Sequence, residues 1–192
     1  MSYTINNPEA IIVHHAYLPE DDYTFNEWKG IVRYHIEERD FLDVGYHYGI
    51  EYVNGKPTLH IGRKEAVNGA HCIGMNTKSI GICVVGGYDT KRPHDDILEL
   101  LVDTIVEIRS RYGKLAIEPH NKYADKSCPG DMFPLDEVIR MVEEKENVHW
   151  AEASFQQLIN NGIELDERRF DDNITRGEVF ALLNKALGGL YK

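Results

Sequence analysis

The sequence predicts an α/β fold, with a central mixed β-sheet flanked by helices and a small helical module at the C-terminus. Three observations lead to this prediction. Short β-branched runs alternate with segments of helical periodicity up to about residue 145. Two β-prone runs are joined by Asn54-Gly55, a pair typical of a hairpin turn. Two further helical patterns, with caps of their own, follow a charged segment.

The first two elements are a strand and a helix. A buried strand is predicted over residues 9–14, because its apolar run is continuous rather than alternating. An amphipathic helix is predicted over residues 25–38, since Thr24 and Glu27 form a capping box and apolar residues recur behind them at helical spacing. His14 and its neighbour therefore stand at the C-terminal end of a strand.

The next elements complete the sheet and its helical cover. A hairpin is predicted around Asn54-Gly55, with its second strand ending at Gly62. Residues 79–85 form another continuous apolar run and predict a buried strand. A long helix ending at Gly113 follows, and after a polar, aperiodic stretch a helix is predicted over residues 134–144 with proline at its start.

A charged segment at residues 143–147 predicts a domain boundary, dividing the chain into residues 1–145 and 146–192. The second part reads as two helices, one stopped at Gly162 and the other capped by Thr175 and Glu178.

Composition excludes several classes of function. The formal net charge is −11, and a field of that sign repels nucleic-acid phosphates, so no nucleic-acid partner is expected. No apolar run approaches the roughly 18 residues of a membrane helix, and the N-terminus lacks a signal-peptide pattern, so we expect synthesis in the cytoplasm and no membrane insertion. Three cysteines are too sparse for a disulfide framework and predict reduced thiols.

Three residues suit a catalytic zinc site: His14 at a strand end, and His120 and Cys128 in the polar stretch. Imidazole and thiolate are good zinc ligands, and three protein ligands leave a fourth position for a water whose pKa falls to about 7. Their spacing matches no short zinc motif, and the chain has nine histidines. The pattern alone therefore favours surface or core histidines over a metal site.

Six short motifs follow one another along residues 9 to about 140. They are Ile12-Val13-His14-His15, Gly45-Tyr46-His47-Tyr48, Gly69-Ala70-His71, Asn76 with Ser79-Ile80-Gly81-Ile82, Pro119-His120 and Cys128-Pro129-Gly130. In this order they resemble the motifs of the type-2 N-acetylmuramoyl-L-alanine amidases, a family that includes phage lysozymes and peptidoglycan recognition proteins.

The resemblance implies zinc as the cofactor, with His14, His120 and Cys128 as its ligands. It also implies that Tyr46 and Lys126 are catalytic: zinc and Lys126 would share the oxyanion, and Tyr46 would position water or relay a proton. Non-catalytic relatives usually carry another residue in place of the cysteine. Cys128 therefore favours an enzyme over a pure binding protein.

Other polar residues receive weaker roles. His71 and Asn76 lie where the family lines its groove, so they are candidate substrate contacts, and Arg63 is a weaker one. His35 lies on the apolar stripe of a predicted helix and reads as a core histidine. His47 alternates with Tyr46 along a β-prone run and is expected to be structural.

The C-terminal segment contains His149-Trp150-Ala151, Asn161-Gly162-Ile163, Phe170 and Ile174-Thr175-Arg176-Gly177-Glu178. Together these resemble one S-layer homology repeat, a module that attaches proteins to cell-wall polysaccharide. The resemblance implies that Arg176 contacts an anionic glycan, since guanidinium pairs well with carboxylates. Such repeats normally occur in threes, and the loop between the two helices lacks the usual glycines. Packing on the catalytic domain, or self-association, is an equal alternative.

Together these features predict a zinc-dependent amidase that cuts peptidoglycan between N-acetylmuramic acid and L-alanine. The missing signal pattern favours a phage or prophage endolysin, made in the cytoplasm and acting at the cell wall after release. Two alternatives remain, namely a non-catalytic peptidoglycan-binding protein and a cytoplasmic amidase that recycles soluble muropeptides.

Overall fold

The computed structural model describes residues 3–16, 27–147, 152–162 and 176–186. The chain divides into two compact units, Met1–Lys145 and Glu146–Lys192. The first unit contains one five-stranded sheet. Its strands are β1 (Ala10–Ala16), β2 (Tyr48–Val53), β3 (Lys56–Ile61), β4 (Ser79–Val85) and β5 (Ala116–Pro119).

The spatial order of the strands is β3-β2-β4-β1-β5. Strand β1 runs parallel to β4 and β5, β2 runs parallel to β4, and β2 and β3 are antiparallel. The mixed sheet predicted from the sequence is thus confirmed. Asn54 and Gly55 between β2 and β3 have φ of 51° and 79°, the left-handed pair that a tight hairpin turn of type I′ requires.

Helices cover both faces of this sheet. They are α1 (Trp28–Arg33), which continues as a π-helical turn over Tyr34–Glu38, α2 (Asp95–Tyr112) and α3 (Leu135–Glu146). Side chains alternate along β1, so Ile11 and Val13 pack with α2 and α3 in the main core. On β4, Cys83 packs with α1 in a smaller core on the other face.

Helix α1 approaches the sheet closely at Gly49 on β2. A Cβ atom at this position would lie 2.2 Å from the ring of Trp28. Only glycine therefore allows the Trp28 ring to pack directly against the strand, and this contact places α1 over β2.

The structure differs from the sequence prediction in two places in this unit. Strand β5 was not expected, because four residues are too few to show a period. Helix α1 begins at Trp28, and the predicted start at residues 25 and 26 lies outside the described residues.

In the second unit the described residues form α4 (Glu152–Asn160) and α5 (Arg176–Ala186). Gly162, with φ of 80°, follows α4 as a helix stop. Helix α5 exposes Val179, Phe180 and Leu183. Among the helices in the described ranges, none is both long and apolar enough to cross a bilayer.

Candidate metal centre and active-site cleft

His14 and His120 are brought together by strand pairing. Val13 on β1 pairs with Pro119 on the parallel strand β5, so the residue that follows each lies at the same edge of the sheet. The two imidazole rings have centroids 4.3 Å apart. Neither candidate ligand depends on a long loop for its position, because the backbone of each belongs to the sheet or leaves it directly.

Cys128 completes the cluster from the loop that follows. Its Sγ atom accepts a hydrogen bond from the backbone N–H of His15 at 3.3 Å and lies 3.9 Å from Nδ1 of His14. One ligand atom from each of His14, His120 and Cys128 lies within 4.8 Å of the others. The structure therefore assembles the three residues that the sequence pointed to, from positions far apart in the chain.

The donor set fits zinc. An ion bound to nitrogen at about 2.0 Å and to sulfur at about 2.3 Å holds those two atoms within about 4.3 Å of each other, and the sulfur and Nδ1 atoms already satisfy this limit. A thiolate with two imidazoles suits zinc and disfavours magnesium or calcium, which prefer oxygen ligands.

Burial sets the charge of the ligands. Burial, followed by neighbouring His71 and His120, lowers the pKa of His14 well below its ordinary value, and burial with nearby Lys126 lowers the pKa of His120. Both rings are therefore neutral at pH 7, with a lone pair available to a metal. Burial also raises the pKa of the Cys128 thiol to about 11, so a metal must displace its proton on binding.

A cleft of about 530 Å³ opens over the cluster. Tyr46 lies on its wall, with its ring centroid 5.1 Å from that of His14. Burial, then the thiols of Cys83 and Cys128, raises the pKa of Tyr46 well above 10. Its phenol is therefore a neutral hydrogen-bond donor at physiological pH.

Lys126 borders the same cleft and is exposed. It makes no ion pair with any carboxylate in the described ranges, whereas nearby Lys122 pairs with Glu118. The Lys126 ammonium group is thus free to meet negative charge that develops in the cleft.

The three candidate substrate contacts are placed differently from the expectation. Arg63 is only 6% exposed, and its guanidinium donates to the backbone carbonyls of Val44, Asn68 and Asp43. Asn76 uses its side-chain oxygen to accept the backbone N–H groups of His71 and its successor. These contacts give both residues structural roles and leave the Arg63 guanidinium no free surface for a ligand.

His71 is 9% exposed and lies behind His14, against the sheet, rather than on the wall of the cleft. Its Nδ1 atom is 2.9 Å from Nε2 of His14. His71 therefore contacts a candidate metal ligand rather than lining the groove, where the family resemblance had placed it.

His35 lines the cleft, although its helical periodicity predicted a core position. Its Nδ1 accepts the backbone N–H of Gly45 at 3.0 Å, and burial, then Arg39, lowers its pKa to about 4. The neutral ring therefore carries its proton on Nε2. The π-helical turn at Tyr34–Glu38 rotates this part of the helix relative to the predicted stripe, and no sequence signal announced it. The cleft also includes Ile31, Tyr34 and Ser127.

Fully buried His47 has the structural role expected of it. Its Nδ1 accepts the backbone N–H of Gly81 and its Nε2 donates to the carbonyl of Val67. Arg176 opens α5, but its side chain lies outside what the structure describes.

The fold and the cluster define a class of protein: an α/β domain with a candidate His-His-Cys metal centre in a cleft at the edge of a mixed sheet. Comparison with known families matches residues 5–131 to the N-acetylmuramoyl-L-alanine amidases. The chain belongs to this family.

Individual relatives agree with this assignment. The endolysin of Escherichia phage T7 is 32% identical over 127 residues, covering 63% of this chain and 80% of the phage protein. The solved structure of Drosophila PGRP-LB has a TM-score of 0.62 at 26% identity, covering 71% of this chain and 84% of that one. The amidase LysC from Clostridium intestinale URNW shares the fold, with a TM-score of 0.61 at 24% identity, covering 78% and 96%.

Proposed function

We propose that this protein is a zinc-dependent peptidoglycan amidase that hydrolyses the bond between N-acetylmuramic acid and L-alanine. The observation that carries the proposal is the cluster of His14, His120 and Cys128, of which His120 and Cys128 line a cleft that Tyr46 and Lys126 also line. Water adds its oxygen to the amide carbonyl carbon and the carbon–nitrogen bond breaks. The products are a lactyl carboxylate and a stem peptide with a free amino group.

The cleft residues supply complementary chemistry. When bound, zinc provides Lewis acidity and activates water near neutral pH. The Lys126 ammonium offsets the negative charge that develops on the carbonyl oxygen. The neutral Tyr46 phenol holds a proton at its hydroxyl, which is hydrogen-bonded to the Cys83 thiol and would donate to substrate instead when the cleft is filled.

Two features favour an enzyme over a binding protein. Cys128 provides the third ligand that a catalytic zinc site requires, and Lys126 has no described carboxylate partner to occupy it. Similarity to phage endolysins further supports release from within an infected cell, and so favours action on intact cell wall over recycling of soluble fragments.

The test is digestion of purified peptidoglycan by zinc-loaded protein, with the new ends read by mass spectrometry. We expect stem peptides that begin at L-alanine, and none from Cys128→Ala. Cys72→Ala is the matched control, since Cys72 is a buried thiol outside the ligand cluster. Retained muropeptide binding with no cleavage would replace the proposal with a recognition protein, and cleavage of soluble anhydro-muropeptides alone would replace it with a recycling enzyme.

We propose in addition that the C-terminal unit attaches the protein to cell-wall polysaccharide. The support is the sequence likeness to an S-layer homology repeat and the apolar residues that α5 exposes. Co-sedimentation of the full chain with purified walls tests it, because Arg176→Ala should weaken sedimentation while Lys145→Ala should not. Equal sedimentation of both variants and the unmodified protein would favour a purely structural unit.

A further inference from the structure

The two nitrogens of the His14 ring have different neighbours. Nδ1 lies 3.9 Å from the Cys128 sulfur, on the side of the candidate metal position. Nε2 lies 2.9 Å from Nδ1 of His71, and both rings are buried. A metal bound through Nδ1 leaves the proton on Nε2, which then donates to His71. The orientation of the His14 ring therefore depends on an acceptor supplied by His71.

The His71 ring is itself fixed by its surroundings. Asn76 accepts the backbone N–H of His71 at 2.8 Å and so holds the loop. The ring occupies a slot between two glycines: a Cβ at Gly81 would lie 2.5 Å from its Cγ, and a Cβ at Gly69 would lie 2.3 Å from its Cδ2. The ring therefore packs directly against the backbone of both glycines, and a side chain at either position would displace it.

Burial of the His71 ring also has a free-energy cost that packing alone does not explain. Nε2 of His71 is buried and interacts with the backbone of Ser79, but this contact lacks full hydrogen-bond geometry. An apolar side chain would fill the same space without an unsatisfied polar atom. A histidine here is therefore best accounted for by what its other nitrogen does.

We propose that His71 is a positioning residue for the metal centre, accepting a hydrogen bond from the Nε2–H of His14 and thereby fixing the tautomer and the orientation of that candidate ligand. The proposal rests on zinc binding as proposed above. In this role His71 contacts the candidate ligand His14 rather than the substrate. It also explains why Gly69, His71, Asn76 and Gly81 occur together in the sequence.

The test measures zinc affinity by competition with a chromogenic chelator, which needs no substrate. His71→Leu fills the slot but removes the acceptor, and we expect zinc to bind 10- to 100-fold more weakly, on the order found when such outer partners of a ligand are lost. His71→Asn places an amide oxygen near the former Nδ1 and should restore most of the affinity. His60→Leu, at a half-buried histidine on β3 outside the cluster, is the control and should leave affinity unchanged.

A second readout is the visible absorption of the cobalt(II)-substituted protein, which reports ligand geometry. The bands should shift in His71→Leu and return in His71→Asn, whereas a packing role would move neither. If His71→Leu fails to fold, Gly81→Ala replaces it, because the added Cβ displaces the ring while every polar group remains.

Unchanged affinity in His71→Leu, or equal weakening in the leucine and asparagine variants, would overturn the positioning role and leave the amidase proposal intact. Failure of the unmodified protein to bind zinc would overturn both.

Discussion

Replacement of Tyr46 by phenylalanine tests the catalytic role of the Tyr46 hydroxyl separately from the packing role of its ring. The substitution removes one oxygen and keeps the ring that packs beside His14 and Cys83. Because the pKa of Tyr46 is raised well above 10, the hydroxyl is a donor and not a base at every pH where the protein is assayed. Loss of one donor to a developing charge costs about 3–4 kcal/mol, or roughly 10²–10³ in kcat.

Zinc affinity and the thermal midpoint should both stay close to those of the unmodified protein, since Tyr46 is not in the ligand cluster and the ring is retained. The assay follows the release of free amino groups from peptidoglycan, with zinc content measured on the same samples.

Tyr88→Phe is the matched control, because its hydroxyl is also buried but donates to the backbone carbonyl of Val85. It should lose about 1 kcal/mol of stability and little activity. If Tyr46→Phe keeps its kcat within about threefold, below the loss expected for any donor to the transition state, the hydroxyl has no catalytic role. If Tyr46→Phe loses zinc instead, the hydroxyl supports the structure of the metal site rather than the reaction.

Three further predictions concern charge, proton release and packing. Lys126→Ala should lower kcat at least tenfold in the peptidoglycan assay. Lys122→Ala is its control and should leave kcat unchanged, because Lys122 is already paired with Glu118. Equal effects of the two substitutions would remove Lys126 from the mechanism. Since the pKa of Cys128 is raised to about 11, zinc binding should release about one proton between pH 7 and 9, and zinc affinity should rise about tenfold per pH unit. Calorimetry in buffers of different ionisation enthalpy measures the number of protons released. A zinc affinity that does not change with pH would mean that the thiol is not a ligand. Leu101→Ala, at a fully buried position on α2, should cost about 3–5 kcal/mol of unfolding free energy in urea titration, and a loss below 1 kcal/mol would contradict the packing described for the main core.

The sequence predicted those parts of the molecule that have a local signature. Strand β4 and the Asn54-Gly55 turn have one, in the form of a continuous apolar run and a dipeptide suited to positive φ. Strand β5 has none, because its four residues owe their extended form to pairing with β1. The π-helical turn that brings His35 to the cleft is likewise invisible in the spacing of apolar residues.

Site residues divide in the same way. His14, His120 and Cys128 were chosen by motif and ligand chemistry, and the register of β1 and β5 explains why the two histidines meet. Arg63 was expected to line the groove as a weaker candidate beside His71 and Asn76, yet its partners are backbone carbonyls up to 20 positions away. No pattern in the sequence gives the location of those carbonyls.

The separation of the ligands along the chain links the candidate metal centre to folding itself. His14 and Cys128 are 114 positions apart and meet only when β1, β5 and the following loop are assembled. The unfolded chain therefore has no comparable site, and free zinc at a thousand times its dissociation constant would add about 4 kcal/mol to the stability of the folded state. Zinc supply would then govern how much of the protein survives in the cell, in addition to how much of it is active.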